Sequence, residues 1–230
     1  MEHPNIYVTK TEIARRHIKD MVLSGAVRPG DRITTREVSS ALGISETPIR
    51  EAIRSLESEG WLEVQSHVGA VVKGLHPDQI REVSALRGRI CELAIELGAP
   101  NFTEARLNKI DAVVNELEEA LNLGDFQRFA SKNYEFHELL CDNPQSPLCY
   151  RLLNNMLGLM SSQRHGLPPQ RTRLEEAQKE HRRIRDLLRA GEFKAAAEMA
   201  REHERITGDF LIRAMKDLSA PGGAIQKFDD

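Results

Sequence analysis

The pattern of this chain changes once, near residue 75, and that change limits what it can fold into. Before it, short helix-periodic stretches alternate with β-branched runs and repeated glycines. From Pro77 onward, apolar residues recur every three or four positions with no strand signal, until the pattern lapses at Ser219. The chain reads as mainly α, with a small mixed domain over 1–75, an all-helical domain over 76–218 and a flexible tail over 219–230. The segment Lys73-Gly74-Leu75-His76-Pro77-Asp78 is the expected linker, with Pro77 or Asp78 opening the next helix.

In the first domain, Thr9 and Glu12 form a capping-box pattern ahead of Ile13, Ala14, Ile18, Met21 and Val22 at helical spacing. Arg28-Pro29-Gly30-Asp31 reads as a turn, and Thr34 with Glu37 opens a second helix whose inner face is Val38, Ala41 and Leu42. Gly43 ends it, and Ser45 is placed to cap a third helix with Ile49, Ala52, Ile53 and Leu56 inward. Two short helices joined through a glycine turn are the helix-turn-helix pattern. The outer face of the second carries Glu46, Thr47, Arg50 and Arg54, a polar and partly basic ridge suited to a major groove. Trp61–Gln65 and Ala70–Val72 flank the turn Ser66-His67-Val68-Gly69 and predict a hairpin, the wing. Ser45 and His67 complete the candidate DNA-contacting set read from the residues.

In the second domain, periodicity predicts helices over 78–97, 103–122, 125–141, 146–162, 171–190 and 192–217. Such amphipathic helices with short connections pack as an antiparallel bundle of six or seven helices. The expected core stripes include Ile80, Val83, Leu86, Ile90, Leu93 and Leu97 on the first helix, and Leu148, Leu152, Met156 and Met160 on the fourth. His137, His181 and His203 fall within otherwise apolar stripes on three different helices. A buried imidazole without a partner costs about 1–3 kcal/mol, so three such positions ask for a common explanation. One divalent metal ion supplies it, Zn²⁺ foremost, with Ni²⁺ or Mn²⁺ as alternatives. Asn133, one turn before His137, faces the same way and offers a carbonyl oxygen as a fourth ligand. Glu135 and Glu180 neighbour these histidines, but their helical positions point them away from the metal face. Arg87 leans toward the bundle interior, which leaves three readings: a solvated arginine at the stripe's edge, the partner of a protein carboxylate, or a fork onto the carboxylate of a small organic acid.

Both halves resemble known families. Arg28–Ile33, Gly43–Leu56 and Gly60-Trp61-Leu62 are similar to the winged-helix domain of GntR regulators. That resemblance implies DNA contacts from Arg36, Arg50 and Gly69. The family usually places arginine where this chain has Glu46, which puts the usual operator sequence in doubt rather than DNA binding itself. Asn133–His137, Glu180–Ile184 and Arg201-Glu202-His203 resemble the FCD-type ligand domain of the FadR subfamily. Its members commonly hold a metal with one aspartate and three histidines, bind small carboxylates beside it and dimerise through this domain. Asn133 stands here at the aspartate position.

The formal net charge of -3 makes any nucleic-acid surface a local patch. Cys91, Cys141 and Cys149 form no C-x-x-C pair and suit a reducing compartment. No apolar leader or membrane span is evident, so the expected location is the cytoplasm, at the bacterial nucleoid. The expected function is a homodimeric regulator binding double-stranded operator DNA, with affinity set by a small organic acid near the metal. Two alternatives are a regulator sensing the metal itself and a metal-dependent enzyme with an accessory DNA-binding domain. The enzyme lacks a general base beside the metal and any nucleophile motif.

Overall fold

A computed structural model describes residues 8–65, 69–165, 167 and 170–219. The chain divides into two compact units, Met1–Gly74 and Leu75–Asp230. Leu75, assigned to the first domain from sequence, is buried with Ile80, Met160, Leu211 and Ile212 of the second.

The first unit runs α1 (Lys10–Leu23), β1 (Arg32–Ile33), α2 (Thr35–Leu42), α3 (Glu46–Ser58), β2 (Leu62–Gln65) and β3 (Gly69–Val72). Its core joins Ala14, Ile18 and Val22 of α1 to Val38 of α2, Ile49, Ala52, Ile53 and Leu56 of α3, and Trp61, Leu62, Ala70 and Val72 at the sheet. Each such large apolar side chain contributes about 1.5–3 kcal/mol on burial. Thr34 and Glu37 form a reciprocal capping box at α2, and Gly43 takes the left-handed conformation that ends it. At α1 only half of the expected box forms. The Thr9 side chain accepts from the Glu12 backbone, while the Glu12 carboxylate turns to Arg15. Two expected core positions are exposed, Ile13 and Ala41, each at the edge of its helix's apolar face. The sheet has the antiparallel order β1-β3-β2, with Ile33 opposite Ala70 and Val64 opposite Ala70 on the other side. The hairpin is the predicted wing. Strand β1 has no counterpart in the sequence reading, whose turn ends at Asp31, because two residues are too short for a period to show. Arg15 and Lys19 of α1 both bond Glu59 just beyond α3, at 2.6 and 2.9 Å, tying the two helices together.

The second unit contains α4 (Pro77–Gly98), α5 (Glu104–Leu123), α6 (Phe126–Cys141), α7 (Pro147–His165), α8 (Arg171–Arg189) and α9 (Phe193–Ser219), with a 3-10 turn at Ala99–Asn101. His76 caps α4: its imidazole accepts from the Asp78 backbone, and Gln79 accepts from the His76 backbone. Helices α5 and α6 begin at Thr103 and Asp125, whose side chains accept backbone N–H groups.

On α4 the predicted stripe is rotated. Leu86, Leu93 and Leu97 are 50, 46 and 44% exposed, while Ile80, Ser84, Arg87, Gly88, Cys91, Ala94 and Ile95 are buried. The reason lies in α9, which packs against the small-residue face of α4. A Cβ on Gly208 would stand 2.2 Å from the Ser84 hydroxyl, and one on Gly88 would stand 3.1 Å from Arg201. Close backbone approach through small residues outcompeted the bulkier leucine face. On α7 the expectation holds at Met160, which is buried, but Leu148 and Leu152 are exposed while Cys149 and Leu153 are buried instead.

Candidate functional site

Two constellations bear on function, one in each unit. In the first unit, Arg36, Ser45, Thr47, Arg50 and Arg54 are exposed on α2, at the start of α3 and along α3. Ser45 occupies the N-cap position of α3 but makes no side-chain cap hydrogen bond, contrary to the sequence expectation. Glu46 is engaged within the protein. Its Oε2 accepts from Thr35 at 3.1 Å and pairs with Arg50 Nη2 at 3.0 Å. The Arg50 side chain remains 62% exposed, so this i,i+4 pair is weak and can open to another partner. Gly69 adopts φ of +105°, which favours glycine, and a Cβ there would meet the Arg32 guanidinium at 3.4 Å. His67 lies outside the described residues.

In the second unit, α6, α8 and α9 bring His137, His181 and His203 together. All three are buried, with candidate ligand nitrogens within 4.8 Å of one another. Their ring centroids are separated by 4.7 to 6.0 Å. Each Nδ1 faces a protein oxygen. His203 Nδ1 is 2.5 Å from Glu180 Oε2, and a carboxylate can only accept, so the hydrogen sits on Nδ1. His181 Nδ1 is 3.4 Å from Gln178 Oε1, whose amide nitrogen donates to the Val114 carbonyl at 2.8 Å. His137 Nδ1 is 3.3 Å from Glu204 Oε1, close enough for an ion pair but not aligned as a hydrogen bond. At His181 and His203 a hydrogen on Nδ1 leaves the Nε2 lone pair as what the ring offers a cation.

Glu180 corrects the sequence reading. It does point away from the histidine beside it in sequence, yet from α8 it supports His203 on α9. Arg173 grips the same carboxylate at 2.9 and 3.1 Å and also donates to Thr207. Burial by itself would raise the Glu180 carboxyl, but the hydrogen bonds from His203 and Arg173 outweigh it and hold it below its ordinary range. Asn133 is buried one turn before His137 on α6.

Arg87 has its anion inside the protein. Its Nη2 donates to Glu204 Oε1 at 2.7 Å, with both side chains almost wholly buried. Two atoms of this pair, Arg87 Nε and Glu204 Oε2, have no hydrogen-bond partner among the described residues. Sequence reading missed Glu204. The available signal was an acidic residue within the apolar stripe of α9, complementary to Arg87, the one buried arginine of α4. Cys91, His137 and Glu204 form a second buried group with ligand atoms within 4.8 Å. Cys91 Sγ also lies 3.6 Å from Cys141 Sγ, and that contact, together with burial, pushes the Cys91 thiol well up.

A neutral three-imidazole set suits Zn²⁺ and related divalent ions, and its supporting oxygens are those that such ligands require. The residues present therefore fit a metal, which would supply positive charge and open coordination positions to an oxygen ligand. Among the described residues, no helix is long and apolar enough to cross a membrane.

Comparison with known proteins agrees with both units. Residues 10–72 match the family of bacterial regulatory proteins, gntR family, and residues 82–205 match the FCD domain. The chain is 29% identical over 187 residues to the uncharacterized HTH-type transcriptional regulator YdhC of Bacillus subtilis, covering 81% of this chain and 84% of that one. It is 25% identical over 150 residues to the HTH-type transcriptional regulator McbR of Escherichia coli, covering 65% and 68%. The solved structure of E. coli McbR/YncC superposes with a TM-score of 0.82 at 22% identity, over 90% of this chain and 98% of the other, a likeness of fold.

Proposed function

The chain belongs to the GntR family of bacterial regulatory proteins, as a transcriptional regulator with an FCD domain, and from that premise we propose how it works. Helix α3 enters the major groove of double-stranded operator DNA, with Arg36, Ser45, Glu46, Thr47, Arg50 and Arg54 at the interface and His67 and Gly69 in the wing. The protein acts in the cytoplasm at the nucleoid as a homodimer of the FadR subfamily. The exposed leucines of α4 and α7, two helices that pack side by side, support an apolar self-association face. Asn133, His137, His181 and His203 hold one divalent metal, best matched to Zn²⁺, with Ni²⁺ or Mn²⁺ as alternatives. A small carboxylate beside that metal, reaching Arg87 through its remaining Nε donor, sets operator affinity.

The observation that carries the metal reading is the placement of three buried imidazoles, each with Nδ1 against a protein oxygen. A second reading has its own support. Arg87 already holds Glu204, which favours a regulator whose signal is the metal itself.

The test starts from genomic fragments selected by the metal-loaded protein. Two chains should bind an inverted repeat, and chelation or a small mono- or dicarboxylate should change affinity about five- to 150-fold. Response to metal but to no acid selects the second reading. A protein that selects no sequence would overturn the DNA-binding role, and affinity indifferent to both metal and acids would remove the sensory role.

A further inference from the structure

We propose that Arg87 and Glu204 are positioning residues of the metal centre, holding His137 for the ion. The inference rests on the metal reading above and assigns Arg87 a task that reading does not contain.

The same construction occurs twice in the bundle. Arg173 grips Glu180, and Glu180 meets His203 Nδ1 at 2.5 Å. Arg87 grips Glu204 at 2.7 Å, and Glu204 Oε1 lies 3.3 Å from His137 Nδ1. In each case a buried guanidinium fixes a carboxylate that stands beside a ring Nδ1, as a hydrogen bond at His203 and at ion-pair distance without hydrogen-bond alignment at His137. The two relays tie α4, α6, α8 and α9 to one centre.

Stability does not explain the second relay. A buried ion pair is seldom better than well-packed apolar residues of the same volume, because desolvation offsets the Coulomb attraction. Orientation does explain it. A carboxylate at Nδ1 fixes the tautomer and the ring plane and makes Nε2 more basic, and losing such a partner typically weakens metal binding about 10–100-fold.

Glu204 as a direct ligand, together with Cys91 and His137, is the competing arrangement. Two features disfavour it. The Arg87 guanidinium already lies on that carboxylate and opposes a second cation, and the Cys91 sulfur is engaged with Cys141.

The experiment uses the full chain stripped of metal, titrated with Zn²⁺ in competition and with Co²⁺ by absorbance. The double variant Arg87→Met/Glu204→Met removes both charges together and leaves no lone buried ion. It should bind metal about 10–100-fold more weakly while the metal-free protein melts no lower than wild type. Glu204→Gln, which keeps an acceptor oxygen, should recover part of that loss. In metal-free wild type, ¹⁵N NMR should place the His137 hydrogen on Nδ1, and in the double variant that preference should vanish. A double variant with wild-type affinity and an unchanged tautomer would overturn the proposal. So would a thiolate-to-cobalt band abolished by Cys91→Ser, which would make Glu204 and Cys91 the ligands. Wild type that takes up no metal defeats the metal reading alone, and the tautomer measurement still decides whether Glu204 positions His137.

Discussion

The two units use their interiors in opposite ways. The first has an apolar core, and every buried polar or charged side chain among the described residues belongs to the second. Its candidate functional groups, Arg36, Thr47, Arg50 and Arg54, stand on the outside, where changing one disturbs no packing. In the second unit the candidate groups are the interior: His137, His181, His203, Arg87 and Glu204 occupy positions that apolar residues would fill in an ordinary bundle. Function at a surface can be separated from stability, whereas function inside a core cannot.

The largest expected effect tests that coupling. Glu204→Ala strands Arg87 as an uncompensated buried charge and should destabilise the second unit by about 3–5 kcal/mol in denaturant unfolding. An effect below 1 kcal/mol would mean that the interior is wetter than its burial indicates.

Metal should sharpen the contrast next. An ion at 100 times its Kd stabilises a folded site by about 2.7 kcal/mol, and only the second unit should gain. His181→Ala should abolish both the gain and the chelator sensitivity of its melting. Equal gains in both units would place the ion elsewhere.

On the other side of the comparison, Arg50→Ala should leave stability within about 0.5 kcal/mol of wild type. It should cost about 1–3 kcal/mol of operator binding per head at fixed salt. Unchanged operator binding would remove Arg50 from the interface, and a large loss of stability would show that the surface is not independent of the core.

The smallest effect concerns Glu59. Burial alone would raise its carboxyl, but the bonds from Lys19 and Arg15 prevail and hold it below the ordinary value. A depressed folded-state pKa contributes stability that is present above the unfolded pKa and lost as pH falls through the folded one. Glu59→Gln should therefore cost about 1 kcal/mol near neutral pH, with the difference from wild type closing in acid. A difference independent of pH would assign the loss to packing.

Much of this was legible because local rules and tertiary demands agreed. The helices of the second unit fall within a few residues of their periodic stretches, since caps such as Thr103 and stops such as Gly124 act locally. The wing was legible from two β-branched runs around a glycine turn, and the histidines from being wrong for their stripes. The faces of α4 and α7 were legible only in part: Ile80 and Met160 are buried as expected, but Leu86, Leu93, Leu97, Leu148 and Leu152 are exposed. On α4 periodicity ranks two apolar edges by bulk, whereas the bundle chose by close approach through Ser84, Gly88 and Gly208; on α7 the neighbours Leu152 and Leu153 are equal in bulk, and only packing selects the second. Ser45 is a good capping residue in the capping position, yet it makes no cap hydrogen bond.

The sequence by itself determined the two-part architecture, the helix bounds and the three core histidines, because these depend on spacing along one chain. It turned Arg87 toward the interior but left open whether that side chain is solvated or meets an anion; its burial settles that an anion is needed. Which anion, and which oxygen stands behind each imidazole, was decided only by tertiary structure. Glu204 is 117 positions from Arg87, Glu180 is 23 from His203, and only the packing of α4, α6, α8 and α9 brings them within hydrogen-bond reach.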